Sequence, residues 1–322
     1  MIFINSIIND PSTNEVIDWI KSYSDMNLIR LNPEDIAIEL SIYIDDCGRI
    51  TGQVTFLVRG QRIIISLEQI TRYWYRRGSI NFKSPEQFNN AMELELQDYL
   101  DKEWKVVSHF VFNRLQEKRK LGNIKDNQIN KLEVLVKASA AGLAVPETIL
   151  TTSTESLPDF PLITKCFYHG GFSIKKQFSV GSLTQAVSRP VSSMHSTFFP
   201  SLFQSHVKKK YELRIFYLKG DVYSAAIFSQ RNGKTSVDFR NYDREKPNRV
   251  VPYKLPLSVI DKIRILMENL QLDSGSIDMI VTPHNEYIFL EVNPVGQFKQ
   301  VSVPCNYYLE EKIANYLLGN VA

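Results

Sequence analysis

The sequence contains few cysteines and no long apolar run, and both absences narrow the class of protein. Its 322 residues include three cysteines, whose spacing fits neither a disulfide framework nor a metal site. We therefore expect a protein of the reducing cytoplasm. No stretch approaches the roughly 18 apolar residues of a membrane span. The first residues, MIFINSII, lack the basic flank of a signal peptide and predict a buried strand.

Charge and histidine spacing argue against a nucleic-acid-binding protein and against a zinc enzyme. The formal net charge is +3, from 38 basic and 35 acidic residues, which is too small to indicate nucleic acid as the main partner. Local basic clusters, such as Lys208–Lys210, are typical of solvated faces. None of the five histidines is spaced from another as zinc ligands are, and no Ser-His-Asp or Cys-His arrangement is visible.

Hydrophobic periodicity predicts an α/β protein with α+β character in places. After the first strand, a helix is expected with a capping box, in which Ser12 is the N-cap and Glu15 lies three residues later. A second helix is predicted to begin at Ser84, with Pro85 in its first position. A third helical stretch, VVSHFVFNRLQEKRK, is predicted to end with Gly122 as its C-cap.

The pattern changes near residue 123. The next helix is predicted to stop at Gly142, and Pro146 prevents its continuation. Farther on, β-type runs alternate with one clear helix, LSVIDKIRILMENL. We therefore predict three domains over residues 1–122, 123–202 and 203–322.

Two carboxylates, Asp278 and Glu291, interrupt two apolar runs near the C-terminus. If the runs Ile277–Thr282 and Tyr287–Asn293 pair about a loop centred between positions 284 and 285, these acids lie directly opposite each other. One face of the hairpin is then apolar and consists of Ile277, Met279, Val281, Ile288, Leu290 and Val292. Opposed carboxylates repel unless a cation compensates, and carboxylate and amide oxygens are ligands that Mg²⁺ accepts. Asp278, Glu291 and Asn293 therefore predict a metal site; a hairpin with its polar face in water is the alternative.

The segment GSIDMIVTPHNEYIFLEVNPVGQF resembles the metal-binding end of the ATP-grasp superfamily, in which an Asp precedes a Glu-x-Asn motif. Three earlier segments resemble other elements of this superfamily in the expected order: INKLEVLVKASAAGLAVPETI, FPLITKCFYHGGFSI and LFQSHVKKKYELRIFYLKGDVYSAAI. The resemblance covers about residues 123–300. It implies an ATP-grasp fold, in which an N-terminal α/β pre-ATP-grasp domain precedes two α+β subdomains that enclose ATP.

Four shorter segments, STNEVIDWI, YWYRRGSINF, VDFRNYD and FLEVNPVGQF, together look like the grasp-with-spasm peptide maturases that make graspetides and are related to microviridin ligases. This resemblance implies ATP-dependent macrocyclisation of a ribosomal precursor peptide. Asp or Glu side chains are activated as acyl phosphates and joined to Thr or Ser as ω-esters, or to Lys as ω-amides. The implied partners are a precursor peptide, with a leader and an acidic, hydroxyl-bearing core, and a second copy of the chain in a homodimer.

The same resemblance assigns roles to single residues. The three metal ligands would hold two Mg²⁺ ions on the ATP phosphates. The residues expected to bind ATP are Lys131, Lys165, Gly170, Gly171, Gln204, His206, Val207 and Glu212. Arg214 and Arg240 are expected to stabilise the transferred phosphate and the acyl phosphate as catalytic residues, and Arg240 lies in a polar loop typical of a lid, Gln230–Arg249. Arg76 and Arg77 are candidates for substrate binding, and at most one of them faces the site because adjacent strand residues point to opposite faces.

Alternatives remain at several of these positions. On sequence alone, Lys131 is equally explained as an exposed helix lysine. For Lys165, an exposed lysine at a strand end is the less favoured alternative, because the glycines Gly170 and Gly171 follow it. Ser276 departs from the D-alanine–D-alanine ligases, which have an arginine two residues before the metal Asp, and this argues against a dipeptide ligase. A ligase that adds a free amino acid to a protein or small acid is the alternative enzyme, and an inactive nucleotide-sensing module is the alternative without catalysis. Leader-peptide contact is expected within residues 170–200.

Overall fold

The structure, a computed structural model, describes residues 1–82, 91–167, 172–174, 178–180, 184–187, 196–229 and 248–320. The helices of these ranges are α1 (Pro11–Tyr23), α2 (Ala91–Gln116), α3 (Lys131–Ala140), α4 (Leu257–Asn269), α5 (Lys299–Cys305) and α6 (Leu309–Leu318). The strands are β1 (Ile2–Asn5), β2 (Leu28–Leu31), β3 (Ile36–Ile44), β4 (Ile50–Val58), β5 (Gln61–Ser66), β6 (Arg72–Tyr75), β7 (Asn81–Phe82), β8 (Arg119–Leu121), β9 (Thr148–Ser153), β10 (Leu162–Lys165), β11 (Phe172–Ile174), β12 (Phe178–Val180), β13 (Gln185–Ala186), β14 (Thr197–Ser205), β15 (Tyr211–Leu218), β16 (Asp221–Phe228), β17 (Arg249–Pro252), β18 (Ser274–Val281) and β19 (Tyr287–Asn293). These elements confirm the predicted α/β class.

The chain divides into two compact units. Unit 1 comprises Met1–Gln128 with Tyr308–Ala322, and unit 2 comprises Ile129–Tyr307. The boundary between them lies close to the predicted boundary at residue 122, and the division into three domains stays a prediction. Among the described residues, no helix is both long enough and apolar enough to cross a membrane.

Unit 1 contains a parallel sheet in the order β2-β1-β6-β8 and a second sheet in the order β5-β4-β3-β7. Its core is rich in aromatic side chains, among them Phe3, Phe56, Tyr73 and Phe112. The last helix, α6, belongs to this unit. Arg119 Nε donates to the Tyr316 carbonyl at 2.9 Å, so an arginine of β8 binds a carbonyl near the C-terminal end of α6.

The first helix begins differently from the prediction. Asp10, not Ser12, is its N-cap, and the Asp10 carboxylate accepts a hydrogen bond from the Ser12 N–H at 3.1 Å. Pro11 then takes the first helical position, where its missing N–H costs nothing. Ser12 is fully buried inside the first turn. The predicted capping box is therefore wrong, because Asp-Pro starts the helix before Ser12.

The two helices predicted before residue 122 are one continuous helix in the described chain, α2. Helix α2 ends at Gln116. The basic residues that follow it, which were predicted to be helical, lie in the turn to β8 and in β8 itself. Gly122 follows β8 and is not a helix cap. A Cβ at Gly122 would lie 2.6 Å from the Tyr75 carbonyl oxygen, so this glycine lets the chain approach β6 closely. The predicted helix start at Ser84 and Pro85 lies outside the described residues.

Unit 2 contains the five-stranded antiparallel sheet β17-β16-β15-β18-β19 and the four-stranded antiparallel sheet β13-β10-β14-β9. Helices α3 and α4 cover one face of the five-stranded sheet, where Val134, Ile263, Ile277 and Phe289 pack in a common core. Asn130 caps α3, which ends at Ala140, before Gly142 as predicted. The opposite face of the sheet carries the polar side chains of the candidate site.

Candidate active site

The acid-bearing hairpin is formed by β18 and β19. Asp278 pairs with Glu291 and Ser276 pairs with Asn293, which confirms the predicted register at this end. A bulge follows Asp278, and beyond it Met279 pairs with Phe289. The two acids are thus directly opposed, at a separation where carboxylates repel unless their charge is compensated.

The bulge corrects the predicted apolar face. Phe289 is fully buried in the core of unit 2, beside Ile277 and Val292. Leu290, predicted to face the core, instead lines a cleft together with Glu291. Because a bulge inserts one unpaired residue into a strand, the alternation of side chains changes face at that point.

This cleft, of about 780 Å³, lies in unit 2. It brings together the predicted site residues Lys165, Gln204, His206, Val207, Glu212, Asp278 and Glu291. They come from β10, from β14 and the turn that follows it, and from β15, β18 and β19. Both large sheets of unit 2 therefore contribute walls to the cleft.

Lys131 lies beside this cleft and not in its wall. A smaller cavity is lined by Lys131, Lys165, Leu290 and Glu291, so Lys165 and Glu291 belong to both. Lys131 Nζ donates to the carbonyl of Cys166, the residue after Lys165, at 3.2 Å. The exposed-lysine alternative does not describe Lys165, the last residue of β10, because it is half-buried and lines both cavities.

Arg214 binds Asp278 in the buried part of the site. The two residues pair across β15 and β18 and are 7% and 8% exposed. Arg214 Nη1 donates to both carboxylate oxygens, at 2.6 and 2.7 Å. The edge formed by Nε and Nη2 takes no part in this pairing, and Nε is buried without a hydrogen-bond partner among the described residues. That edge is the one that binds planar or tetrahedral oxyanions through two parallel hydrogen bonds.

Glu212 is held by two buried donors. Its Oε1 accepts from Lys209 Nζ and its Oε2 from Ser229 Oγ, both at 2.6 Å. Burial raises the pKa of the Glu212 carboxyl, and the Lys209 charge and the two hydrogen bonds oppose that rise. Lys209 belongs to the basic cluster Lys208–Lys210, whose composition predicts a solvated face, and no sequence pattern indicates a role for Ser229. No signal in the sequence distinguishes Lys209 from the lysines on either side of it.

The stretch from Gln204 to Val207 joins the two sheets as a hinge. The N–H groups of Ser205 and His206 donate to the carbonyls of Glu147 and Pro161, at 2.9 and 2.8 Å. No hydrogen bond to another described residue is formed by the Val207 N–H, which lies in the cleft wall. Gln204 is almost fully buried, and its Oε1 has no hydrogen-bond partner among the described residues. The hinge thus offers one donor and one acceptor to a ligand.

Asn293 and Ser276 lie at the end of the hairpin away from its loop. Asn293 Oδ1 accepts from the Val295 N–H at 3.1 Å and is not in the wall of the cleft. Ser276 is almost fully buried against Gly296, where a Cβ on the glycine would lie 2.3 Å from Ser276 Cβ. A large side chain at position 276 does not fit this contact, which gives a structural reason for the absence of an arginine there.

Arg76 and Arg77 belong to unit 1, outside the cleft. Arg76 Nε lies 3.0 Å from Asp10 Oδ2, with both side chains buried, while Arg77 Nε is 3.9 Å away and about a third exposed. Burial lowers the pKa of Arg76 to about 10, against the favourable effect of Asp10. Burial alone would raise the pKa of Asp10, but Arg76, Ser12 and Arg77 together lower it. The Arg76–Asp10 ion pair therefore connects the N-cap of α1 to the residue that follows β6.

Three further predicted site residues, Gly170, Gly171 and Arg240, lie outside the described residues. For the rest, the donor set fits the predicted ligands. Asp278, Glu291 and Asn293 offer oxygen atoms only, which suits a hard cation such as Mg²⁺. Asn293 Oδ1 keeps a second lone pair beside the one that Val295 engages. The wall of the cleft adds Lys165 as a cation and the Val207 amide as a donor, and both suit an anionic nucleotide.

The structure is similar along its length to solved ATP-grasp ligases. It matches the macrocyclase MdnC from Microcystis aeruginosa MRC, bound with precursor peptide MdnA, with a TM-score of 0.77, 25% identity and 100% of both chains covered. A RiPP-associated ATP-grasp ligase from Chryseobacterium gregarium, in complex with ADP and a leader and core peptide, matches with a TM-score of 0.77, 24% identity, and 100% of this chain and 97% of that one covered. The ATP-grasp ligase PsnB, complexed with minimal precursor, Mg and ADP, has a TM-score of 0.68 and 14% identity, with 99% and 96% covered. No protein-family model matches the sequence, and no curated protein matches it.

The fold is that of the ATP-grasp ligases, which confirms the predicted fold, and the solved structures that the chain resembles are ligases, as the predicted class of enzyme requires. They include a macrocyclase bound with a precursor peptide and ligases in complex with a leader and core peptide or with a minimal precursor.

Proposed function

We propose that this enzyme joins carboxylate side chains of a ribosomal precursor peptide to hydroxyl or amine side chains of the same peptide, at the expense of ATP. The observation that carries the proposal is the opposed Asp278–Glu291 pair in the wall of a cleft that also holds Lys165 and the hinge. The complexes of the similar ligases with precursor peptides support the class of substrate.

Each residue of the cleft has a task in this reaction. Asp278, Glu291 and Asn293 would hold two Mg²⁺ ions, and Lys165 would bind phosphate oxygens. The Val207 amide binds the adenine edge. When bound, Mg·ATP supplies the phosphoryl group that turns a peptide carboxylate into an acyl phosphate. Because phosphoryl transfer needs charge neutralisation and alignment, cations and fixed donors account for most of the catalysis.

Arg214 stabilises the oxyanions of the reaction through its Nε and Nη2 edge, while Nη1 stays on Asp278. The carboxylate oxygen of the peptide attacks the γ-phosphorus, and ADP leaves. A hydroxyl or amine then attacks the acyl carbon, loses its proton, and inorganic phosphate leaves. The peptide loses one water for each link. Arg240, Gly170 and Gly171 keep the roles that the resemblance implies, with Arg240 assigned to the acyl phosphate.

The finer features of the function are part of the same proposal. We propose ω-esters with Thr or Ser as the main products, and ω-amides with Lys as the variant. The core peptide is acidic and carries hydroxyl groups, the enzyme works as a homodimer in the cytoplasm, and leader contact falls within residues 170–200. Arg76 is fixed by Asp10, so Arg77, which is partly exposed, is the better candidate for substrate contact in unit 1.

Mass spectrometry of a precursor peptide incubated with the enzyme, ATP and Mg²⁺ tests the proposal. Loss of one water per link, with no change in peptide length, supports macrocyclisation. A gain of one amino-acid residue would instead indicate a ligase that adds free amino acids. If every candidate precursor encoded beside the enzyme is tested and none changes in mass, both functions are contradicted.

Glu291→Gln tests the metal assignment. The substitution keeps the size of the side chain and removes the charge that opposes Asp278, so we expect a folded protein that forms no product. Glu268→Gln is the matched control, because Glu268 is exposed on α4 and lies outside the cleft. Product formation by Glu291→Gln at the rate of the control would refute the role of Glu291 as a metal ligand.

A further inference from the structure

Lys209 is the buried member of the basic triplet Lys208–Lys210. Its side chain is 5% exposed and lines the cleft, whereas Lys208 and Lys210 are exposed. Lys209 Nζ lies 2.6 Å from Glu212 Oε1. A lysine loses much hydration when it is buried, so its position at the wall of the nucleotide cleft calls for a compensating function.

Ser229 completes the arrangement from the other side. It is fully buried directly after β16, and its hydroxyl donates to Glu212 Oε2 at 2.6 Å. Each carboxylate oxygen thus accepts one hydrogen bond from the protein. Because a carboxylate oxygen accepts two hydrogen bonds, each oxygen keeps one acceptor position for a ligand.

Two parallel acceptor positions on one carboxylate match two neighbouring hydroxyl groups. A vicinal diol, such as the 2′- and 3′-hydroxyls of a ribose, presents two donors at that spacing. Glu212 lies in the same cleft wall as the hinge residues His206 and Val207, on β15 two residues before Arg214, and a nucleotide in this cleft can place its sugar beside it. Two donors with fixed positions prevent the carboxylate from rotating out of this orientation.

We propose that Lys209 and Ser229 are positioning residues that hold Glu212 for the vicinal hydroxyls of the nucleotide ribose and thereby set the preference for ribonucleotides over 2′-deoxyribonucleotides. The inference rests on the proposed function, since it requires a nucleotide in this cleft. It adds two residues from separate loops, one before β15 and one after β16, to the sugar site.

The charge balance supports this arrangement. Burial raises the pKa of Glu212, and the nearby Asp278 carboxylate raises it further. The charge and hydrogen bond of Lys209, together with the hydrogen bond from Ser229, oppose both effects and favour the ionised, hydrogen-bond-accepting form of Glu212. A neutral residue at position 209 therefore weakens the sugar site even if the fold is unchanged.

Calorimetric titration of the full-length enzyme with ATP and with 2′-deoxy-ATP, both with Mg²⁺, tests the proposal. We expect the wild type to prefer ATP, and Lys209→Met and Ser229→Ala to reduce the ratio of the two affinities by about tenfold, as for loss of a hydrogen bond to a charged group. Lys208→Met and Ser258→Ala, which alter exposed residues outside the cleft, should keep the wild-type ratio.

The ratio separates positioning from a general structural role. If the variants bind both nucleotides more weakly by the same factor, the Lys209–Glu212–Ser229 group is only structural and the proposal is overturned. If wild-type enzyme binds neither nucleotide, the proposed function itself fails. Lys209→Arg, which keeps the charge, should retain most of the preference, and it provides the test if Lys209→Met does not fold.

Discussion

Removal of the Arg214 guanidinium tests whether Arg214 and Asp278 act as one unit. Nη1 lies 2.6 and 2.7 Å from the two carboxylate oxygens, in a part of unit 2 where both residues are less than a tenth exposed. In Arg214→Met the Asp278 carboxylate remains buried without its cation. Loss of one partner of a buried ion pair costs about 3–5 kcal/mol, since the remaining charge pays the desolvation penalty alone.

The double variant gives the sharper result. In Arg214→Met with Asp278→Asn, both charges of the pair are removed. We therefore expect the loss of unfolding free energy in the double variant to be smaller than the sum of the losses in the two single variants, by about 2 kcal/mol or more. A sum that is additive within about 0.5 kcal/mol would refute the conclusion that the two charges compensate each other.

The assay must report on unit 2 alone. All three tryptophans, Trp19, Trp74 and Trp104, belong to unit 1, so tryptophan fluorescence follows only that unit. Hydrogen exchange of β15 and β18 measures the local opening free energy at the ion pair. We expect faster exchange there in Arg214→Met, with an unchanged fluorescence midpoint in urea.

Three further predictions concern other contacts. Gly296→Ala places a Cβ 2.3 Å from Ser276 Cβ and should lower the free energy of unfolding by about 1–3 kcal/mol. Adding Ser276→Gly to the same chain removes the clash and should recover part of that loss, as measured by thermal unfolding. Asp10→Asn keeps an N-cap but removes the carboxylate that forms the buried ion pair with Arg76, so the fluorescence midpoint of unit 1 should fall by an amount equivalent to about 3–5 kcal/mol. Because the pKa of Asp10 is lowered in the folded protein, wild-type unit 1 should lose the stability from the Asp10–Arg76 ion pair as the pH falls below the ordinary value of 3.8. The variant should lack this pH dependence. Identical acid-unfolding profiles of the two proteins would contradict the ion pair's role. In Lys209→Met, the raised pKa of Glu212 should rise further, so ATP affinity should fall as the pH is lowered from neutrality, more steeply than in wild type.

The opposed acids are predictable because the information is local. Side chains alternate along a strand, and a short loop fixes which residues face each other, so Asp278 and Glu291 are paired by sequence position. The bulge is not predictable in the same way. Ile288, Phe289 and Leu290 are all apolar, so either register buries a hydrocarbon side chain, and the choice depends on how Phe289 fits among the helices of unit 2.

The N-terminus of α1 shows the same limit. Both Asp10 and Ser12 are good N-caps, and the capping-box pattern favours Ser12. Asp10 also pairs with Arg76 on a strand that is distant in sequence, and the two interactions together decide where the helix begins. Arg76 was predicted as a substrate-binding candidate without Asp10 as its partner, because the two residues are distant in sequence.

The ATP-grasp fold and the order of its elements were predictable from the resemblance of short motifs to a known superfamily. The opposed acids were predictable from side-chain alternation about a short loop, because that information lies within one segment of the chain. The tertiary structure alone decided which lysine of Lys208–Lys210 is buried, where the hairpin bulges, and that Arg214 holds Asp278. These features depend on contacts between strands far apart in the chain, where burial and charge compensation select one of several arrangements that local sequence allows.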